Sequence, residues 1–141
     1  MGGISRIHGD MVESFGEADG IQGGTIWGFA FERNGTVWAA GLQGISRRTG
    51  TRWQRVGVQD GFTGTAANAV YIDKAGTVGV FSRQGLFLKS ATEQKFCAQI
   101  GQRNAFQPPV TDQHGRIYLM DGGTGIRVID SLEQYDQLTH P

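Results

Sequence analysis

Between residues 26 and 57, apolar and polar positions come in short bursts separated by glycine-bearing turns. Ile26-Trp27-Gly28-Phe29-Ala30-Phe31 predicts a strand that is apolar on both faces. Glu32-Arg33-Asn34-Gly35 reads as a turn, with an acid at its start and Gly where φ turns positive. Thr36-Val37-Trp38-Ala39-Ala40 predicts a second strand, and Gly41-Leu42-Gln43-Gly44 a second turn. Ile45-Ser46-Arg47-Arg48 follows as a third strand, Thr49-Gly50 as a tight turn, and Thr51-Arg52-Trp53-Gln54-Arg55-Val56 as a fourth strand. Four strands joined by short turns predict an antiparallel meander.

The pattern recurs. Gly44-Ile45-Ser46-Arg47 copies Gly3-Ile4-Ser5-Arg6 from 41 positions earlier, and Gly85-Leu86-Phe87-Leu88 follows 41 positions later. Gly125-Ile126-Arg127-Val128 comes after another 40. A second copy of the meander spans 67–100, with strands at 67–72, near 77–81, at 86–89 and over 95–100. A third spans 107–138, with strands at 116–120, 126–129 and 134–138. The opening residues 3–15 hold only the last two strands of a copy. In the linker 16–24, Asp19-Gly20-Ile21 is matched by Asp60-Gly61-Phe62. A period of ~40–45 residues with four strands per unit predicts β-propeller blades. The fold class is therefore read as all-β, about three and a half blades of an incomplete ring, in one domain over 1–141. The blades are 3–15 (half), 26–57, 67–100 and 107–138. No run has the 3.6-residue spacing a helical solenoid needs.

Composition fits this reading. Gly is 23 of 141 residues against only 3 Pro, so the glycines are turn residues and not part of a disordered linker. Lys plus Arg and Asp plus Glu are 13 each, which gives no global pull toward nucleic acid or an anionic membrane. The single cysteine, Cys97, excludes an intrachain disulfide, and in a predicted outer strand it is expected as a buried, inert thiol. The first ten residues show no signal peptide, and no window of ~18 apolar residues is present.

The phrase running from Asp19-Gly20-Ile21 through Ile26, Phe29, Glu32, Gly35 and Val37-Trp38 to Gly44-Ile45-Ser46-Arg47 resembles the two-component regulator propeller repeat. The next copy keeps Asp60-Gly61-Phe62, Ala67, Val70, Asp73, Gly76 and Val78 but has Gly79 in place of the Trp. The last keeps Asp112, Gly115, Ile117 and Gly125-Ile126, with Tyr118 for the Trp, and places Pro108-Pro109 in its innermost strand. Prolines there shorten a strand, because they cannot donate to a ladder. The resemblance implies a sensor propeller lying outside the cytoplasmic membrane, periplasmic in a bacterium. Such a domain feeds a histidine kinase or diguanylate cyclase. It implies a module that binds a ligand or partner and is not catalytic by itself.

Candidate chemistry is sparse. Each acid-x-x-Gly turn, at Glu32, Asp73 and Asp112, has one carboxylate where a calcium loop needs several oxygen ligands. His8, His114 and His140 show no pairing at i, i+4. Residues 121–125 are Gly-rich but lack phosphate-binding spacing and a following helix. No cofactor or metal is expected. Arg6 and Arg47 share a repeat position, which points to a structural brace. Ligand contacts are expected at positions that do not repeat, in loops 22–25, 63–68 and 103–107 and at Gln43, Arg83, Gln84 and Asp121. Trp27 and Asn68 occupy one repeat register yet differ, so Trp27, Asn68, Arg83 and Arg103 form the candidate ligand-binding set.

Three functions compete. The first is a sensor propeller that binds a small molecule, an oligosaccharide or a protein. The second is a structural or protein-interaction propeller without small-molecule sensing. The third is an enzyme resembling the streptogramin lyases, which needs a cluster of His and acidic residues that this chain lacks. No nucleic acid and no direct membrane contact are expected. Natural propellers have ~4–8 blades. The half blade plus three is thus expected to meet the remaining blades of a ring or a second copy of the chain.

Overall fold

The computed structural model describes residues 3–100, 108–121 and 125–134, with backbone alone at 98–100 and 121. Among these residues the protein is all-β, and its strands form four small antiparallel sheets taken in chain order. Sheet 1 pairs β1 (Ile4–His8) with β2 (Met11–Phe15). Sheet 2 runs β3 (Ile26–Phe31), β4 (Val37–Gly41), β5 (Gly44–Thr49) and β6 (Arg52–Val56). Sheet 3 repeats that order with β7 (Ala67–Ile72), β8 (Val78–Ser82), β9 (Gly85–Lys89) and β10 (Ala98–Ile100). Sheet 4 has β11 (Val110–Thr111), β12 (Ile117–Asp121) and β13 (Gly125–Ile129).

The sheets stack face to face, because each strand alternates its side chains between two faces. Between sheets 2 and 3, Trp38, Ala40, Ile45 and Val56 meet Val70, Val80, Phe87 and Phe96. Between sheets 3 and 4, Phe81, Leu86 and Leu88 meet Ile117, Leu119 and Ile129. Between sheets 1 and 2, Ile4 and Phe15 pack on Ile21, Ala39 and Trp53. The two ends of the stack are uncovered among the described residues. Ile7 and Val12 are exposed on sheet 1, and Met120, Ile126 and Val128 on sheet 4.

The repeated Asp-Gly phrase has a local cause. Residues Glu17–Asp19 and Val58–Asp60 form single 3-10 turns inside what the sequence reads as plain linker. Each aspartate folds back to accept the backbone N–H three residues earlier, Gly16 to Asp19 at 2.8 Å and Gly57 to Asp60 at 3.1 Å. The glycine after it must be left-handed, at φ 99° for Gly20 and 82° for Gly61. A Cβ there would lie 2.2 Å from the Trp53 carbonyl oxygen or 2.1 Å from that of Phe96. No other residue type fits.

The acid of each strand-connecting turn also has a defined task. Asp73 Oδ1 accepts the N–H groups of Ala75 and Thr77, and Asp112 Oδ1 those of His114 and Arg116. Glu32 is too long for this, and Asn34 caps Thr36 instead. The second carboxylate oxygen holds an aromatic six residues on: Trp38 Nε1 donates to Glu32 at 3.0 Å and the Tyr118 hydroxyl to Asp112 at 3.0 Å. Gly79 has no side chain to do this. Leu132, fully buried in the 3-10 turn Leu132–Gln134, fills that space, and its backbone N–H donates to Asp73 Oδ2 at 2.9 Å. The loss of the aromatic in the second copy is thus matched by a residue 53 positions away in the chain.

Several expectations change. Cys97 is exposed, not buried, because it precedes the outer strand, in a segment where Phe96 turns into the core. Strand β10 begins at Ala98, leaving 95–97 outside it, and Thr49 belongs to β5 and not to a turn. Pro108 and Pro109 leave β11 only two residues long. Residue 134 lies in a 3-10 turn, and the rest of the expected strand 134–138 is outside the described residues.

Candidate functional site

Three of the candidate residues, Trp27, Asn68 and Arg83, lie at one end of the stack, where β3 and β7 begin and β8 turns into β9. Strand β7 lies against β3 and β4. Pairing of β3 with β4 skips from Ile26 to Gly28, and pairing of β7 with β8 skips from Ala67 to Ala69. Trp27 and Asn68 are therefore the extra residues of two β-bulges at equivalent positions. A bulge leaves its extra residue out of the ladder and re-aims its side chain. Trp27 is half exposed and Asn68 half buried. Arg83 is exposed in the turn directly after Ser82, which pairs with Ala67 at the root of the second bulge. Trp27, Asn68 and Arg83 thus share one end of the molecule. Arg103 lies outside the described residues.

Neighbouring loop residues divide between scaffold and surface. Gln22 is buried, so it is no ligand contact. Its amide donates to the carbonyls of Ala39 and Gly44, both at 3.2 Å, and its backbone N–H to Ser46 Oγ at 2.8 Å, while Ser46 Oγ donates back to its Oε1. Gln84 ties down the next loop through Thr65, donating Nε2 to Thr65 Oγ1 at 3.1 Å. Leu42 and Gln43 are exposed beside them. The surface left open combines an indole, an amide and a guanidinium on a backbone held by these bonds. That mixture can stack on a flat ring and hydrogen-bond to hydroxyl, carbonyl or carboxylate oxygens.

Two clefts lie elsewhere, and neither Trp27, Asn68 nor Arg83 lines them. One, about 550 Å³, sits at the opposite end between the turns of sheets 2 and 3, flanked by Arg33, Asn34, Tyr71 and Lys74. The other, about 560 Å³, opens between sheets 1 and 2 beside Ile4, Phe15, Phe29 and Phe31. Sequence reasoning missed both, because each is made where consecutive copies of the repeat abut and not by any one phrase.

Arg47 is a brace, as its repetition implies. Its guanidinium lies 5.4 Å from the centroid of the Trp38 ring and 3.8 Å from Asp60, tying β5 to the neighbouring strand and to the next 3-10 turn. Arg6, at the same repeat position, pairs across its own hairpin with Glu13 at 3.4 Å. At the turn of sheet 4, burial raises the Asp112 pKa. Hydrogen bonds from the Arg116 backbone and guanidinium, the His114 N–H and the Tyr118 hydroxyl outweigh it. They hold the carboxyl well below the usual carboxylate range. The bond and charge of Asp112 raise Arg116 in turn. This exposed pair serves the turn.

Among the described residues no cluster of three or more His, Cys, Asp or Glu could hold a metal ion, and no helix is long and apolar enough to cross a membrane. No protein-family model, curated protein or solved structure matches the chain.

Proposed function

We propose that this chain is an arc of a β-propeller that works as a binding module, the input part of a signalling protein, with no catalysis of its own. One observation carries the reading. The backbone repeats a bulge at the mouth of each first strand, while the bulged side chain changes from Trp27 to Asn68. A bulge repeated in two copies, with a different side chain in each, offers unlike groups on one rigid backbone, as recognition needs. The resemblance to two-component regulator propellers supports a place outside the cytoplasmic membrane and an output through a kinase or cyclase domain. The mixed aromatic, amide and guanidinium surface favours an oligosaccharide, a small polar molecule or a peptide.

A thermal-shift screen of sugars, oligosaccharides and peptides tests this. A ligand that raises the midpoint should lose most of its effect with Trp27→Ala, since stacking on an exposed indole contributes about 1 kcal/mol or more. A hit unaffected by Trp27→Ala, Asn68→Ala and Arg83→Ala would remove this surface as the site. The second reading is a protein-interaction propeller. It is favoured by the exposed apolar face of sheet 4, with Val110, Met120, Ile126 and Val128. Capture of a protein partner, with no small-molecule shift at all, would support it over sensing.

A further inference from the structure

The cleft of about 550 Å³ at the end opposite Trp27 has the size of a small-molecule site. It opens between two turns that are built alike, 32–35 of sheet 2 and 73–76 of sheet 3. In each, the N–H of the glycine donates to the carbonyl of the acid at 3.0 Å. Both walls are therefore closed turns and not loose loops. Small residues keep the space between them open. Ala75, Gly76 and Ala91 line it, and a Cβ on Gly76 would come within 2.9 Å of the Ala91 Cβ.

The charged groups of the cleft divide sharply. Its acids are engaged with the chain. Glu32 Oε2 accepts Trp38 Nε1. Buried Asp73 accepts the N–H groups of Ala75 and Thr77 with Oδ1 and that of Leu132 with Oδ2. Its cations are not engaged. Arg33 and Lys74 follow those acids at one repeat position, and both are exposed. Neither takes part in a hydrogen bond or ion pair among the described residues, whereas Arg6, Arg47 and Arg116 each pair with an acid. The Lys74 stem lies against the turn of sheet 4, where a Cβ on Gly115 would stand 2.9 Å from its Cδ. Asn34 adds a donor. Its Oδ1 accepts the Thr36 N–H, which leaves Nδ2 for another partner.

Two rings complete the lining. Phe31 is 70% exposed, whereas Ile72, at the same register position in β7, is partly buried against sheet 2. A phenylalanine so exposed gains little from burial within this fold and offers its ring to a ligand. Tyr71 is half buried, and its hydroxyl is hydrogen-bonded to Thr111, which fixes the ring.

We propose that this cleft binds a small planar aromatic carboxylate. The carboxylate lies between the Arg33 guanidinium and the Lys74 ammonium, with Asn34 Nδ2 as a further donor. The ring lies against Phe31 and Tyr71. A guanidinium fork matches both oxygens of a carboxylate, which a neutral amide does not offer. The charges of Glu32, Arg33, Asp73 and Lys74 cancel, so selection for the anion comes from contact and not from a long-range field. This inference does not depend on the ligand surface at Trp27, which lies at the other end.

Cinnamate is the probe, titrated against the protein and followed by NMR, with cinnamamide as its uncharged counterpart. Saturable binding of cinnamate at a Kd near about 1 mM is expected, as suits a ligand of its size. Cinnamamide should bind about tenfold more weakly. Arg33→Gln combined with Lys74→Gln should weaken cinnamate about tenfold and leave cinnamamide unchanged. Phe31→Ala should weaken both probes alike. Arg6→Gln, in the cleft between sheets 1 and 2, should change neither. Far-UV circular dichroism confirms that each variant is folded. Absence of saturable cinnamate binding, or equal binding of the two probes, overturns the proposal. So does binding that is indifferent to the double substitution, or binding that is lost with Trp27→Ala, since the probe would then sit at the opposite end.

Discussion

The exchange of Trp38 for Gly79 gives the sharpest test of how these sheets hold together. Leu132 is fully buried, and a Cβ on Gly79 would meet its Cδ1 at 2.7 Å. Leu132→Ala should cost about 2.7–5 kcal/mol, the range for buried leucines, rising with the cavity left behind. Gly79→Ala alone sets two effects against each other. The methyl overpacks against Leu132, at about 1–3 kcal/mol. Replacing glycine inside a strand returns about 0.5–1 kcal/mol. A net loss is expected. In the Leu132→Ala background the clash is gone. The nearest remaining atoms, Leu86 Cδ1 at 3.4 Å and Leu88 Cδ2 at 3.6 Å, are at ordinary contact distance. There Gly79→Ala should stabilise. The coupling between the two sites should reach about 1–3 kcal/mol, measured by urea unfolding of the four variants followed by far-UV circular dichroism. A coupling below about 0.5 kcal/mol would refute the claim that Leu132 occupies the vacated aromatic site.

Two further outcomes are expected. Gly61→Ala, with a Cβ 2.1 Å from a carbonyl oxygen, should lower the unfolding midpoint far more than Gly50→Ala, where φ is 65° but nothing lies within 4 Å and the cost should be near 1 kcal/mol. Equal losses would remove the close-approach explanation for the Asp-Gly phrase. Asp112, whose carboxyl titrates below its ordinary value of 3.8, stabilises the fold fully above that value and progressively less as pH falls toward its folded value. The stability gap between the protein and Asp112→Asn should therefore be constant near neutrality and shrink below about pH 4. A gap that widens on acidification would reverse the sign of this assignment.

The all-β class and the division into meanders were legible because they rest on signals local to a phrase. The turns at 32–35, 73–76 and 112–115 each need a left-handed glycine and a short polar cap, Asn34, Asp73 and Asp112 in turn, and those residues stand in plain view. The glycine-bearing turns and the 41-residue interval likewise placed β3 to β9 within a residue or two. Other features were hidden because they depend on what one copy of the repeat meets in the next. No spacing reveals that Gly79 is small because Leu132 arrives there. Cys97 was misplaced because the outer strand starts late, so Phe96 took the inward position. The bulges at Trp27 and Asn68 were signalled only obliquely, by two unlike residues in one register. The cleft at Trp53 was invisible for the same reason, since it is defined by which neighbours are absent. A sequence repeat fixes what each unit offers its neighbours. The cost falls where an offer goes unanswered, as at the exposed Phe29 and Phe31 and the unpaired Trp53 and Arg48 donors.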